Sequence, residues 1–137
     1  MELIQELEVW YIIPAIRKEL AKAMLNTGLK QVEIAKKLGL TKAAVNQYFS
    51  DKRGSGVKFN SDIKEKIKIA ANNINNEFDS VRYIQSLINL TREEKVACQV
   101  HKKMNKEFQG CNVCFEQPLI QIRTWKKYIW IMLQQQK

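Results

Sequence analysis

Four side chains that bind transition metals occur close together in the last third of the chain. Cys98, His101, Cys111 and Cys114 are every cysteine and histidine of the sequence, and they form the pattern C-x2-H-x9-C-x2-C. Cys98 and His101 are three residues apart on a predicted helix, so they share one of its faces. Cys111 and Cys114 can form a turn after Gly110. Two such pairs can complete a tetrahedron around one ion, and the pattern therefore predicts a metal centre.

The identity of the metal is left open by the donor set. Three cysteines and one histidine with C-x2-C spacing are typical of structural zinc, which is the first expectation. An iron–sulfur cluster is the main alternative, because histidine can replace cysteine at a two-iron centre. Ordinary packing of small cysteines, a Cys111–Cys114 disulfide, and a nucleophilic Cys98 with His101 as its base are weaker alternatives. No carboxylate stands at a convincing spacing to orient that base.

The charge of the chain predicts a polyanionic partner. There are 23 Lys and Arg residues against 14 Asp and Glu residues, which gives a formal net charge of +9. Nucleic acid is the commonest polyanion inside a cell, and an anionic membrane surface is the other candidate. The sequence contains neither a basic leader before an apolar segment nor an apolar run long enough to cross a bilayer. We therefore expect a cytoplasmic protein without a membrane partner.

Residues 31–54 carry the pattern of two short helices joined by a tight turn. Apolar residues recur at helical spacing on both sides of a glycine, and a threonine follows that can cap the second helix. The glycine suits a turn conformation that a side chain would oppose. A small residue, Ala35, stands where the second helix must cross close above the first. The residues that meet these requirements are Ile34, Ala35, Leu38, Gly39, Leu40, Thr41, Val45 and Tyr48.

This window resembles the phage-repressor-like (Xre-type) helix-turn-helix family of prokaryotic regulators, over roughly residues 14–75. The whole chain is similar to archaeal-type regulators that carry such a domain first and a cysteine-bearing region after it. The resemblance implies that the second helix, about Thr41–Ser50, lies in the major groove of DNA. It also implies that Gln31, which opens the first helix, binds a phosphate.

The residue types on the outward face agree with DNA contact. With Val45 and Tyr48 facing inward, the outward positions carry amides that can pair with adenine, a small residue that can touch a thymine methyl group, and basic residues for phosphates. An ordinary polar face of a structural helical hairpin is the alternative. The residues expected to contact DNA are Gln31, Thr41, Lys42, Ala43, Asn46, Gln47, Ser50, Lys52 and Arg53.

The remaining periodicity predicts an all-α fold, a repressor-like helical bundle with a metal-binding helical extension. Pro14 can begin a helix or kink a longer one. Asp79 or Ser80 can cap a helix, and residues 91–94 match a capping box that would begin another. A final amphipathic helix is expected over Leu119–Leu133. We divide the chain into a DNA-binding domain, residues 1–78, and a metal-binding and dimerisation region, residues 79–137.

The combined prediction is a sequence-specific transcriptional regulator that binds a palindromic operator as a homodimer. A stripe of Trp125, Ile129 and Met132 on the last helix is the expected dimer contact, because pairing two reading helices supplies specificity. The alternative is an RNA-binding or ribosome-associated module that uses the basic metal-binding region. No phosphate-binding loop, zinc-protease motif or serine-nucleophile motif is present, and we expect neither an enzyme nor a small-molecule substrate.

Overall fold

The computed structural model describes residues 2–105, 107, 110–116 and 133–134. Its regular structure is helical throughout this part of the chain, so the all-α prediction is confirmed. The helices are α1 (Ile4–Leu7), α2 (Ile13–Asn26), α3 (Gln31–Leu38), α4 (Lys42–Phe49), α5 (Ser61–Asn73), α6 (Glu77–Glu93) and α7 (Val96–Met104). A π-helical turn, Glu8–Ile12, joins α1 to α2, and Val113–Phe115 form a 3₁₀ turn.

The N-terminal helical segment is interrupted immediately before Pro14. Proline has no backbone N–H, so it cannot continue the α-helical hydrogen bonds there. The chain instead forms the π-helical turn, in which the N–H of Ile13 donates to the carbonyl of Glu8, five residues earlier. Pro14 then occupies the first turn of α2, where a missing donor is tolerated. Helical structure thus extends on both sides of Pro14 without an intervening loop.

Helices α3 and α4 form where the sequence predicts them, and local interactions explain both ends of the turn between them. Gly39 has φ +64° and ends α3. The Thr41 hydroxyl oxygen accepts a hydrogen bond of 3.1 Å from the N–H of Ala44, as expected for the cap of α4. The predicted inner positions Ile34, Ala35, Leu38, Val45 and Tyr48 are all buried.

One hydrophobic core extends through the fold. Residues of α2 and α5 pack against each other, and α6 contacts α2, α3 and α5. Ile84, Leu87 and Ile88 of α6 belong to the same buried cluster as Ile63 and Ile67 of α5. The core is thus continuous across residue 78, where we drew the boundary between a DNA-binding and a metal-binding region. That division stays a prediction about roles.

Two predicted helix starts are wrong. Helix α6 begins at Glu77, with the Asn76 side chain accepting from the N–H of Asp79, so neither Asp79 nor Ser80 is its cap. The predicted capping box at residues 91–94 does not begin a helix, because α6 continues to Glu93. Thr91 is fully buried, and its hydroxyl donates to the carbonyl of Ile88. The new helix, α7, begins only at Val96.

Most of the predicted helix over Leu119–Leu133, including Trp125, Ile129 and Met132, lies outside the described residues. Among the helices that are described, none has the length and apolar character required to cross a membrane.

Candidate nucleic-acid interface and metal centre

Helix α4 presents a polar face opposite its buried one. Val45 and Tyr48 are buried against the core, and this fixes the rotation of the helix. Most of the positions predicted to contact DNA are consequently exposed along α4 and directly after it. They are Thr41, Lys42, Ala43, Asn46, Ser50, Lys52 and Arg53.

Gln31 and Gln47 differ from the other predicted contact residues, because both are half-buried. The Gln47 side-chain oxygen is enclosed and has no hydrogen-bond partner among the described residues. Asn46, the neighbouring amide, is exposed and makes the better candidate for reading a base edge. The sequence did not distinguish these two amides, since both lie outside the apolar stripe of the helix.

The loop after α4 is held in place at its beginning. The N–H groups of Lys52 and Arg53 donate to the carbonyl of Gln47 over 3.0 and 3.3 Å. Gly54 has φ +75°, and a Cβ atom there would lie 2.5 Å from the carbonyl oxygen of Pro14. The loop therefore packs directly on α2, and this fixes the backbone from which the two basic side chains project.

A buried lysine neutralises the one acidic residue in this region. Residues 39–61 contain four basic residues and a single acid, Asp51. Lys18, which is only 6% exposed, forms an ion pair with Asp51, and Lys22 lies 4.0 Å from the same carboxylate oxygen. The hydrogen bond from Lys18 and its charge lower the pKa of Asp51. The carboxylate therefore stays ionised and paired, and it opposes a polyanion less than a free acid would. The sequence pattern gave no indication of Lys18.

The four predicted metal ligands come together in the fold. Cys98, His101, Cys111 and Cys114 line one cavity of about 20 Å³, together with Val113. Helix α7 supplies Cys98 and His101. Cys114 lies in the 3₁₀ turn, and Cys111 lies two residues before that turn. A cavity of this size accommodates roughly one water-sized particle. The spacing of the sequence motif thus corresponds to a real convergence of side chains.

Lys95 connects the cysteine turn to the junction between α6 and α7. Its backbone adopts a left-handed conformation with φ +53°. Its ammonium group donates to the side-chain oxygen of Asn112 at 3.1 Å and lies 5.0 Å from the centre of the Phe115 ring. Asn112 and Phe115 lie on either side of Cys114 in the chain, so Lys95 helps to position the turn beside α7.

Cys98, Cys111 and Cys114 form no disulfide, and the surroundings of Cys98 favour its thiol over its thiolate by raising its pKa. Burial raises the pKa of Cys98, and the neighbouring Cys114 and Cys111 raise it further. An activated catalytic thiol requires the opposite shift. Among the described residues, no three such donors already stand in a metal-ligand arrangement. The donors line one cavity, and binding an ion would require their side chains to turn inward and the thiols to lose their protons.

Two carboxylates from the N-terminal segment contact the C-terminal helices, and sequence reasoning missed both. Glu2 Oε2 lies 2.8 Å from His101 Nε2. Glu8, which is 3% exposed, accepts two hydrogen bonds of 2.8 Å from the Arg92 guanidinium. The contact with Glu8 raises the pKa of Arg92. Both pairs join residues more than 80 positions apart in the chain.

Comparison of the chain with models of protein families, with curated proteins and with solved structures found no match.

Proposed function

We propose that this protein is a sequence-specific DNA-binding regulator that inserts α4 into the major groove. The observation that carries the proposal is the face of α4 on which Lys42, Ala43 and Asn46 are exposed while the opposite face is buried. Thr41 caps the helix at one end, and the anchored loop with Lys52 and Arg53 follows at the other. The relationship to repressor-like helix-turn-helix regulators is part of the same proposal.

Each exposed residue type has a suitable chemical role in that arrangement. The Asn46 amide can donate and accept simultaneously with adenine, and the methyl group of Ala43 can contact thymine. Lys52 and Arg53 supply charge for phosphates at the end of the helix. Gln31, at the first position of α3, is available to a phosphate only through the exposed part of its side chain. Lys42 adds a further positive charge at the start of α4.

The same surface favours DNA over the alternative of an RNA-binding module centred on the cysteines. Such a module would need exposed aromatic and basic groups near Cys111 and Cys114 for stacking and phosphate contact. Lys95 and Phe115 are the obvious candidates, but they contact each other. At the α4 surface, by contrast, the exposed Asn46 amide lies together with the basic residues Lys42, Lys52 and Arg53.

We expect the regulator to act as a homodimer on a palindromic site, because one helix-turn-helix contributes only modest specificity. The expected dimer contact is the stripe formed by Trp125, Ile129 and Met132. This part of the proposal rests on the sequence pattern alone.

Asn46→Ala should weaken binding to the preferred DNA sequence by about 1–3 kcal/mol and leave binding to scrambled DNA nearly unchanged. The reason is that a base-edge contact is lost while phosphate contacts remain. Lys52→Ala should instead weaken binding to both sequences and reduce the slope of log affinity against log salt by roughly one. Selection from a random duplex pool with the full chain identifies the preferred sequence, and titrations at several salt concentrations give the affinities.

Asn72→Ala is a matched control, because Asn72 is an exposed asparagine on a different helix, α5. It should bind both DNAs as the wild type does. If Asn46→Ala weakened preferred and scrambled DNA equally, α4 would not be the reading helix. If selection enriched no sequence, the proposal of sequence-specific binding would be wrong.

We also propose that Cys98, His101, Cys111 and Cys114 hold one metal centre, with zinc as the first expectation and an iron–sulfur cluster as the alternative. The support is their convergence on one small cavity and the donor set itself. Three thiolates and an imidazole suit tetrahedral zinc. Bound zinc would fix α7 relative to the cysteine turn, and a cluster would add redox sensitivity.

Removing the metal by chelation under reducing conditions should loosen the cysteine turn and the end of α7 while leaving α3 and α4 folded. Few apolar residues surround this turn, so the ion should supply much of its order. Hydrogen exchange measured segment by segment should accelerate around residues 96–116 and remain unchanged around residues 31–50. Elemental analysis of anaerobically purified protein distinguishes stoichiometric zinc from iron with sulfide.

Cys114→Ser should reproduce the effect of chelation, whereas Val113→Ala should not, because Val113 lines the same cavity without offering a donor atom. If metal-free protein had the same exchange rates as the purified protein, the four residues would be ordinary packing residues and not metal ligands.

A further inference from the structure

His101 is held by a carboxylate from the opposite end of the chain. It lies on α7 and is 8% exposed, and its Nε2 atom is 2.8 Å from Glu2 Oε2. Residue 2 precedes α1, and α1 packs against α7. Cys114 also approaches the N-terminal segment, since it lines a second cavity with Ile4 and Gln5. The surroundings of the predicted metal ligands therefore include the first residues of the chain.

The protonation chemistry of imidazole gives this contact a specific consequence. A ring that binds a metal must be neutral, with the lone pair of one nitrogen on the ion and a proton on the other. Histidines bound to metals almost always donate that second N–H to a carboxylate, a backbone carbonyl or a water molecule, which fixes the ring and increases the basicity of the binding nitrogen. Nε2 of His101 faces the Glu2 carboxylate in this way. In such an arrangement Nδ1 is the nitrogen that binds the ion.

We infer that Glu2 is a positioning residue of the metal centre, which makes Nδ1 of His101 the ligand by accepting the proton of Nε2. This inference rests on the proposed metal centre. It extends that centre beyond the four ligands in the C-x2-H-x9-C-x2-C pattern to a residue that the pattern does not contain. Metal binding would then also hold the segment before α1 against α7.

A nuclear magnetic resonance experiment reads the tautomer directly, because His101 is the only histidine in the chain. Protein labelled with ¹⁵N at histidine is stripped of metal, reloaded with one equivalent of Zn²⁺ alone, and recorded in a long-range ¹H–¹⁵N correlation. We expect the pattern of a ring with Nδ1 bound to zinc and Nε2 protonated. A ring bound through Nε2 would overturn the inference while leaving a zinc centre in place.

Zinc affinity gives a second and independent readout. In competition with a chromophoric chelator, Glu2→Ala should weaken zinc binding by about 10- to 100-fold, and Glu2→Gln, which keeps an acceptor oxygen, should lose less. Glu6→Ala is the matched control, since Glu6 contacts the N–H of Leu3 and not the histidine. It should bind zinc as the wild type does.

The outcomes separate this inference from the metal centre on which it rests. If the wild type takes up no zinc, both fail. If the wild type takes up one zinc and Glu2→Ala equals it in affinity, only the role of Glu2 fails. Loss of affinity in Glu2→Ala with partial recovery in Glu2→Gln, together with zinc on Nδ1, establishes Glu2 as a positioning residue.

Discussion

Gly54→Ala is expected to lower the free energy of unfolding by roughly 2–5 kcal/mol, because it combines backbone strain with a collision. The residue has φ +75°, which an L-side chain adopts only at a cost. The added Cβ would lie 2.5 Å from the carbonyl oxygen of Pro14 and 2.9 Å from Cβ of Lys18. Neither of these atoms is the far end of a flexible side chain, so the loop itself must move away from α2. Urea denaturation of the full chain measures the loss.

Gly28→Ala is the matched control for this substitution. Gly28 also has a positive φ, +93°, but a Cβ there would meet nothing within 4 Å. It should therefore cost only the strain, about 1–2 kcal/mol. Equal losses in the two variants would show that the loop does not rest on α2. If α4 and the loop form the proposed interface, Gly54→Ala should also weaken DNA binding more than Gly28→Ala, because it displaces Lys52 and Arg53.

Arg92→Leu is expected to lower the free energy of unfolding by roughly 2–3 kcal/mol, since it leaves the Glu8 carboxylate buried without its cation. Glu8 is 3% exposed, and both of its oxygens accept from the guanidinium. The Arg92 side chain is 44% exposed, which weakens its interaction through solvent screening. For that reason the expected loss is smaller than the ~3–5 kcal/mol typical of breaking a fully buried pair.

The double variant Glu8→Leu/Arg92→Leu tests the cause of that loss. Removing both charges should recover much of the stability, because the cost comes from an unpaired buried charge more than from a lost attraction. Arg82→Leu provides a control on the same helix, since Arg82 pairs with Asp79 and its side chain is 72% exposed. It should change stability by about 0–1 kcal/mol. Similar losses in Arg82→Leu and Arg92→Leu would mean that Glu8 is not effectively buried.

Features governed by residues three or four apart could be predicted from the sequence. The Thr41 cap, the turn at Gly39 and the burial of Val45 and Tyr48 depend on local hydrogen bonds and on helical periodicity. The convergence of the metal ligands was also accessible, because Cys98 with His101 and Cys111 with Cys114 are local pairs and the nine residues between them are enough for the chain to reverse. The capping box at residues 91–94 misled for the same reason. Its local pattern is genuine, but Thr91 is buried within α6 and cannot serve as a cap.

The sequence by itself therefore determined the helical class, the polar face of α4 and the candidate donor set, since each follows from neighbouring residues. Only the tertiary structure decided that Glu2 contacts His101, that Glu8 pairs with Arg92, and that Gly54 lies against Pro14. These contacts join residues 40 to 99 positions apart, and they depend on how the helices cross. Periodicity predicts which face of a helix is buried, but it does not predict which distant residue that face will meet.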